Sequence, residues 1–308
     1  MVNLLLKKNS EVVVLDNLST GHEYNIQDCE HLNIDLVDTE NLSKKLNKRK
    51  FDGIFHFAGK SLVSESINNP DLYYLNNITG TKNLLKVMLD NDLNNLIFSS
   101  SAAVYGKSEL DFITEDALKM PINPYGKSKL QAEKDINQTS KQYGLNSISL
   151  RYFNACGADP EGKFGEDHAC ETHLIPNILQ SLLDPKEEFY VYGNNYPTKD
   201  GTCIRDYVHI TDLANAHVAT LNLLISTKPQ IISLNIGTGK GHSVLEVVET
   251  FMRINNVSVP YVFQERRKGD NYYSVANNEL ALSLLNWQPV KTLEDMCRDT
   301  WHFANITS

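Results

Sequence analysis

Apolar positions form two kinds of run along this chain. Four runs are short and nearly continuous: EVVVLD (11–16), GIFHFAG (53–59), LIFSSS (96–101) and SISLRYF (147–153). Their length and their β-branched and aromatic content predict buried strands. Between them the apolar residues recur every three or four positions, as in NITGTKNLLKVMLDN (77–91) and SKLQAEKDINQTSKQYG (128–144), which predicts helices with one face on a core. Strands alternating with helices, the strands apolar throughout, imply a parallel sheet covered on both faces. The first half therefore reads as a doubly wound α/β domain over residues 1–155.

Beyond residue 155 the pattern loosens. CGADPEGKFGEDHACETH (156–173) and YGNNYPTKDGTCIRDY (192–207) are rich in Gly, Pro, Asn and Asp and read as loops. Helical periodicity returns at ITDLANAHVATLNLLIS (210–226) and SVLEVVETFMRIN (243–255). Residues 156–308 read as a smaller α/β domain that serves substrate binding. There are no internal repeats and no low-complexity linker.

Composition narrows the class. Of 308 residues 41% are hydrophobic and 22% charged, as in ordinary globular proteins. The net charge of −9 and the lack of a basic block argue against nucleic acid. No apolar run reaches the roughly 20 residues of a membrane span, and the N-terminus lacks signal-peptide order. Five scattered cysteines (Cys29, Cys156, Cys170, Cys203, Cys297), odd in number and without a CxxC, fit a reducing compartment. The expectation is a cytoplasmic protein. HACETH (His168, Cys170, His173) lacks the spacing of a known zinc motif, so no metal is expected.

The chemistry-bearing residues fall at strand ends, where open α/β sheets bind ligands. Asp16 and Asp35 close two apolar segments. Such an acid accepts hydrogen bonds from a ribose, and equally caps a helix or a turn. Ala58 and Gly59 leave room for backbone to approach a ligand. Ser99, Ser100 and Ser101 end the third strand, and no GxSxG elbow supports a hydrolase. In NPYGKSK, Tyr125 and Lys129 stand four apart where a helix begins, and share a face. A nearby ammonium favours phenolate, so the expectation is a lowered phenol pKa and a base that works near neutrality. Ser101 would complete the proton path. By itself such a pair is ordinarily a surface feature; after a serine-rich strand end in a nucleotide-binding fold, the acid/base reading is preferred.

Taken with LDNLSTGH, FHFAGKSLVSES, FSSSAAVYG, LRYFNACGADP, GEDHACETHLIP, YGNNYPTKDGTCIRDYVHITDLANAHV, LNIGTGKGHSVLEVV and RRKGD, the chain resembles the UDP-glucose 4-epimerases of the extended short-chain dehydrogenase/reductase superfamily. These motifs span nearly the whole chain, in family order. The resemblance implies a Rossmann-like fold, a tightly held NAD, and interconversion of UDP-galactose and UDP-glucose through a 4-keto sugar. Ser101, Tyr125 and Lys129 would be catalytic. Asp16, Asn17, Asp35, Leu36, Phe57, Ala58, Gly59, Asn76 and Phe153, with Tyr125 and Lys129, would contact NAD. Asn154, His173, Leu174, Tyr192, Arg205, Arg267 and Asp270, with Ser101, would hold the UDP-sugar. Arginine forks suit a diphosphate, although Arg205 can also be a structural partner of Asp206. A homodimer is implied by analogy alone.

The sequence also departs from the family. It opens at MVNLLLKKNSEVVVLD, which reads as the tail of the first helix followed by the second strand. The first strand and the GxGxxG turn that cradles pyrophosphate have no counterpart, which leads us to expect an N-terminally truncated fold, weak NAD retention and reduced stability. SLNIGTGKGHSVLEVVETF (233–251) imitates such a turn, but its spacing is GxGxG and it lies far from Asp16, so it reads as structural. Ser61 stands where some relatives carry an NAD-contacting lysine. Ser274, four residues after Asp270, stands where a bulky tyrosine restricts the sugar C2 pocket in the family, and a small residue there predicts that UDP-GlcNAc and UDP-GalNAc are also accepted. A 4,6-dehydratase would need an acid and a base after Ser101, where Ala102 and Ala103 stand. An epimerase or decarboxylase of another UDP-sugar, and a non-catalytic sugar-nucleotide binder, remain open alternatives.

Overall fold

Each of the four apolar runs forms a strand. The computed structural model describes residues 1–26, 28–108, 110–168, 171–184, 186–227, 230–267 and 270–307. Its strands are β1 (Val13–Leu15), β2 (Glu30–Leu32), β3 (Ile54–His56), β4 (Asn95–Ser101), β5 (Asn146–Tyr152), β6 (Asn154–Cys156), β7 (Phe189–Tyr192), β8 (Ile204–His209), β9 (Ile231–Ile236), β10 (Gly241–Ser243), β11 (Tyr261–Gln264) and β12 (Tyr273–Ser274). The chain divides into two units. One comprises Met1–Gly106, Leu118–Arg151 and Ala216–Leu234; the other comprises Lys107–Ala117, Tyr152–Asn215 and Asn235–Ser308.

In the first unit β1 and β2 form a parallel pair in the register Val13↔Glu30, and β3, β4, β5 and β9 form a four-stranded sheet in that order. The expected Rossmann-like parallel architecture is present, but its sheet is in two pieces. No residue of the helix Val2–Lys7 or of β1 is fully buried. The core lies instead among Leu42, Leu84, Val87, Met88, Leu96, Phe98 and Ile136, from the helices Thr39–Leu46, Gly80–Asp90 and Pro124–Tyr143 and from β4.

Two helix starts place the site. The segment read as one helix from residue 77 begins at Pro70, passes through a π-helical stretch, Tyr74–Thr79, and becomes α-helical at Gly80. π-Bulges of this kind re-aim side chains at functional sites. The helix Pro124–Tyr143 opens with Asn123 accepting a hydrogen bond from Gly126 N at 2.8 Å, and Pro124 follows in the first turn. This N-cap, with proline fixed at a helical φ, fixes where the first turn starts. A Cβ on Gly126 would lie 2.5 Å from Ala103 O, so glycine lets the helix start approach the end of β4.

In the second unit β8 is central, antiparallel to β10 and parallel to β12 and β6; β7 and β11 form a separate parallel pair. Cys156, Ile178, Val191, Val248, Phe251 and Cys297 build its core. No described helix is long and apolar enough to cross a membrane.

Candidate active site

In the first unit, β4 ends in Ser99–Ser101 beside the opening turns of Pro124–Tyr143. The Ser101 hydroxyl accepts from Ala103 N at 3.2 Å, which caps a short 3₁₀ turn, and it stands close enough to the Tyr125 phenol to favour its phenolate. Lys129 is buried, 4% exposed; its ammonium donates to Ser99 O at 2.9 Å and lies 5.0 Å from the Phe98 ring centroid. An ammonium carries three donors, and this is the only hydrogen bond it makes among the described residues. Ser101, Tyr125 and Lys129 are thus brought together as the sequence suggests. Burial pushes the ammonium down to about 8, against the pull of Glu133.

The phenol departs from expectation. Burial pushes Tyr125 up, and the Ser101 hydroxyl offsets this only in part. The desolvation of a phenolate in an apolar environment outweighs the help of the Ser101 hydroxyl, an effect that residue spacing does not reveal. The Tyr73 ring stands edge-on to Tyr125 at 6.4 Å, its hydroxyl donating to Leu62 O and Glu65.

The turn after β3 is clamped by a residue that sequence reasoning missed. Asn77, 2% exposed, accepts from Lys60 N at 2.7 Å and donates to Lys60 O and Ser128 Oγ, each at 2.9 Å. Gly59 sits at φ +144, and a Cβ on it would meet Asn77 Oδ1 at 2.7 Å. Phe57, Ala58 and Gly59 are exposed at this strand end, with Phe57 packed on His217 at 4.9 Å. Asn76 donates to Leu72 O within its own helix. A buried network, also unforeseen, lies behind Lys129. Glu133 accepts from Arg151 Nε and Nη2 at 2.9 and 2.7 Å and from Ser100 Oγ at 2.5 Å, while Arg151 Nη1 donates to Tyr105. Glu133 follows Lys129 by four residues, a spacing that could have singled it out.

Asp16, Asn17 and Asp35 cluster at the ends of β1 and β2. Asp16 Oδ1 accepts from Leu18 N at 2.7 Å, Asn17 donates to Asp35 at 2.9 Å, and Asp35 accepts from Val37 N at 2.8 Å. Asp16 Oδ2 accepts no hydrogen bond among the described residues. Leu36 turns its side chain into the core, and its carbonyl accepts from Asn83 Nδ2 at 2.9 Å.

In the second unit Arg267 lies over Tyr192 at 4.0 Å, and Arg205 donates to Ile204 O and approaches Asp270 at 3.8 Å. Ser274 faces Arg205 across the β12–β8 register. Arg205 is therefore not the partner of Asp206. Asp206 is fully buried and accepts from Thr238 N, Thr238 Oγ1, Gly239 N and Ala276 N. The amides of the GTG loop are spent on this carboxylate, which gives the loop a structural role. Phe153 is buried with its N–H on Ile236 O, and Asn154 is exposed at the start of β6. His173 precedes the helix Leu174–Leu183; its Nδ1 is 2.6 Å from Glu166, while Leu174 packs on the core. His168 pairs with Glu171 at 3.0 Å, and ligand atoms of Glu166, His168 and His173 lie within 4.8 Å of one another. The carboxylate partners push both histidines up. Cys170, the other member of that motif, lies outside the described residues, as do Lys268 and Gly269 of RRKGD.

The chain is similar to known proteins in sequence and in fold. The model of a family described as GDP-mannose 4,6 dehydratase matches residues 1–300. A UDP-glucose 4-epimerase of Halalkalibacterium halodurans is 42% identical over 303 residues, covering 98% of this chain and 90% of that protein. A UDP-glucose 4-epimerase structure from Stenotrophomonas maltophila, described with bound NAD and formylated UDP-arabinopyranose, superposes with TM-score 0.94 at 36% identity, covering 98% of this chain and 93% of that one. A UDP-Glc/GlcNAc 4-epimerase structure from Campylobacter jejuni gives TM-score 0.86 at 34% identity, over 99% and 94%.

Proposed function

We propose that this chain, which belongs to the UDP-glucose 4-epimerase family, interconverts UDP-galactose and UDP-glucose with the help of bound NAD. The observation that carries the reading is the Ser101 hydroxyl set beside the Tyr125 phenol, where it favours the phenolate, one helical turn from a buried ammonium. The residues fit the cofactor: Lys129 has two donors left for ribose hydroxyls, Asp16 Oδ2 is free to accept, and Gly59 leaves the strand end without a side chain. Asn17, Asp35, the Leu36 backbone, Phe57, Ala58, Asn76 and Phe153 complete the proposed set. In this reading NAD supplies the hydride acceptor at C4 and the hydride that returns.

The chain's own groups handle the proton. Tyr125, as the phenolate, takes it from the sugar 4-hydroxyl and becomes the phenol, and Ser101 donates to the phenolate oxygen before that transfer. The Lys129 ammonium holds that oxygen's charge in a site where burial works against it. Inversion follows if the 4-keto sugar presents its other face before Tyr125 gives the proton back. Arg205 and Arg267 grip the diphosphate with planar donor forks, and Tyr192, Asp270, Asn154, His173 and Leu174 hold the rest of the UDP-sugar. NAD then belongs mainly to residues 1–155 and the sugar nucleotide to 156–308. The reading includes a cytoplasmic homodimer, testable by light scattering; the four described cysteines are free thiols, as a reducing compartment requires.

UDP-galactose deuterated at C4 tests the reaction type. An epimerase keeps the label at C4 of UDP-glucose, whereas a 4,6-dehydratase carries it to C6 with loss of water. Ala102 and Ala103, which carry no acid or base, favour the first outcome. Ser274 favours a second substrate pair, UDP-GlcNAc and UDP-GalNAc. Ser274→Tyr should then abolish N-acetyl sugar turnover and leave UDP-galactose turnover within a few-fold, and failure of the unchanged chain to turn over UDP-GlcNAc would exclude this pair.

A further inference from the structure

We propose that Glu133 is a positioning residue for the catalytic group, holding Lys129 charged and the end of β4 in place. The catalytic part of this inference rests on the epimerase reading. Ser100 lies between Ser99, whose carbonyl takes the Lys129 hydrogen bond, and Ser101, whose hydroxyl meets Tyr125. Its side chain points the other way along the strand alternation and is bound by Glu133 at 2.5 Å. One carboxylate thus anchors the middle of the three serines, while its neighbours serve Lys129 and Tyr125. Arg151, from β5, fixes that carboxylate through two hydrogen bonds and is itself tied to Tyr105. Glu133 and Arg151 are 2% and 3% exposed, so water does not screen them.

The same carboxylate acts on Lys129. The two residues are one helical turn apart on one face, and Glu133 favours the ammonium while burial opposes it. The other groups facing Lys129 do not replace this charge. Burial pushes the phenol of Tyr125, from the same helix, towards its neutral form. His56, from β3, is fully desolvated and neutral, its pKa pushed down to about 3, with Nε2 on Thr81 Oγ1. β4 offers the Ser99 carbonyl and the Phe98 ring, and β5 offers Arg151, a cation that weakens the hold of Glu133 on the lysine.

The test compares Glu133→Gln, Arg151→Met and the double variant in the full chain. The Lys129 ammonium is followed by NMR in lysine-labelled protein and assigned by the signal lost in Lys129→Met; the alkaline limb of UDP-galactose turnover is measured alongside. Glu133→Gln should lower the Lys129 midpoint by roughly 1 unit, the low end of what an adjacent opposite charge contributes, and should move the alkaline limb down with it while KM changes little. The double variant removes both charges, leaves no orphan in the core, and should show the same lowering if the single variant does not fold. Arg151→Met keeps the carboxylate and should not lower the midpoint. An unmoved midpoint in both Glu133 variants, or an equal fall in Arg151→Met, would overturn the proposal. Absence of turnover in the unchanged chain with a Lys129 midpoint that still responds to Glu133 would count against the epimerase reading and for the positioning role.

Discussion

In the first unit the groups assigned to chemistry are held by protein atoms, Lys129 and Glu133 buried, Ser101 and Tyr125 half-buried: Lys129 on Ser99 O, Ser101 on Ala103 N, and Glu133 between Arg151 and Ser100. In the second unit the groups assigned to the sugar nucleotide stand nearer water. Arg267 is exposed over Tyr192, Asp270 is one-third exposed, and Arg205 meets Asp270 only at 3.8 Å. The contrast separates two tasks. Proton transfer needs fixed geometry and displaced pKa values, which burial provides. Recognition of a diphosphate needs mobile cations that close on a ligand, and an exposed, loosely paired arginine costs little to redirect.

The widest separation between the units should come from Tyr125→Phe. It removes the proton acceptor, so kcat should fall by about 10²–10⁴-fold, with thermal stability nearly unchanged in a melting scan. Arg205→Ala and Arg267→Ala should each raise KM for UDP-galactose by roughly 10–100-fold, the worth of a lost charge-assisted hydrogen bond, and leave kcat less affected. Asn77→Ala should lower stability by roughly 1–3 kcal/mol in urea unfolding, because Lys60 N and O and Ser128 lose a buried partner; a loss confined to activity would show that the clamp is not structural.

Titration sharpens the contrast because the two units respond with opposite sign. The folded-state pKa of Lys129, about 8, lies below its ordinary 10.5. Between these values the unfolded chain binds more protons, so this contribution makes the protein more stable as pH rises, while activity that needs the ammonium declines above pH 8. His173 is raised by Glu166. Its contribution is fully present below the ordinary histidine pKa and is lost as pH rises through the raised value. Melting curves of Lys129→Met and His173→Asn against pH should show the two effects separately. The smallest change belongs to the exposed Lys44–Glu40 pair, where Lys44→Ala should stay within about 0.5 kcal/mol.

The same division decided what could be read from the sequence. Continuous apolar runs revealed β3, β4 and β5, and the pair Tyr125 and Lys129 was visible because both belong to one helix with a legible start. Asn77 was hidden, since its partners lie 17 and 51 residues away and nothing in local periodicity joins them. Glu133 reads as a solvated helix position until Arg151, 18 residues on in another element, takes it into the core. The direction of the Tyr125 shift was misjudged because spacing reports the neighbouring charge and not the burial. Leu36 marked the right segment, but its side chain serves packing.

The most direct measurement of the central claim is to incubate the purified chain, with added NAD, with UDP-galactose and to follow the sugar C4 configuration by NMR, with Tyr125→Phe in parallel. The unchanged chain should give an equilibrium mixture of UDP-galactose and UDP-glucose, and the variant almost no conversion at the same time point. Equal conversion by both proteins would contradict the claim, as would no conversion by an unchanged chain shown to bind NAD and the sugar nucleotide.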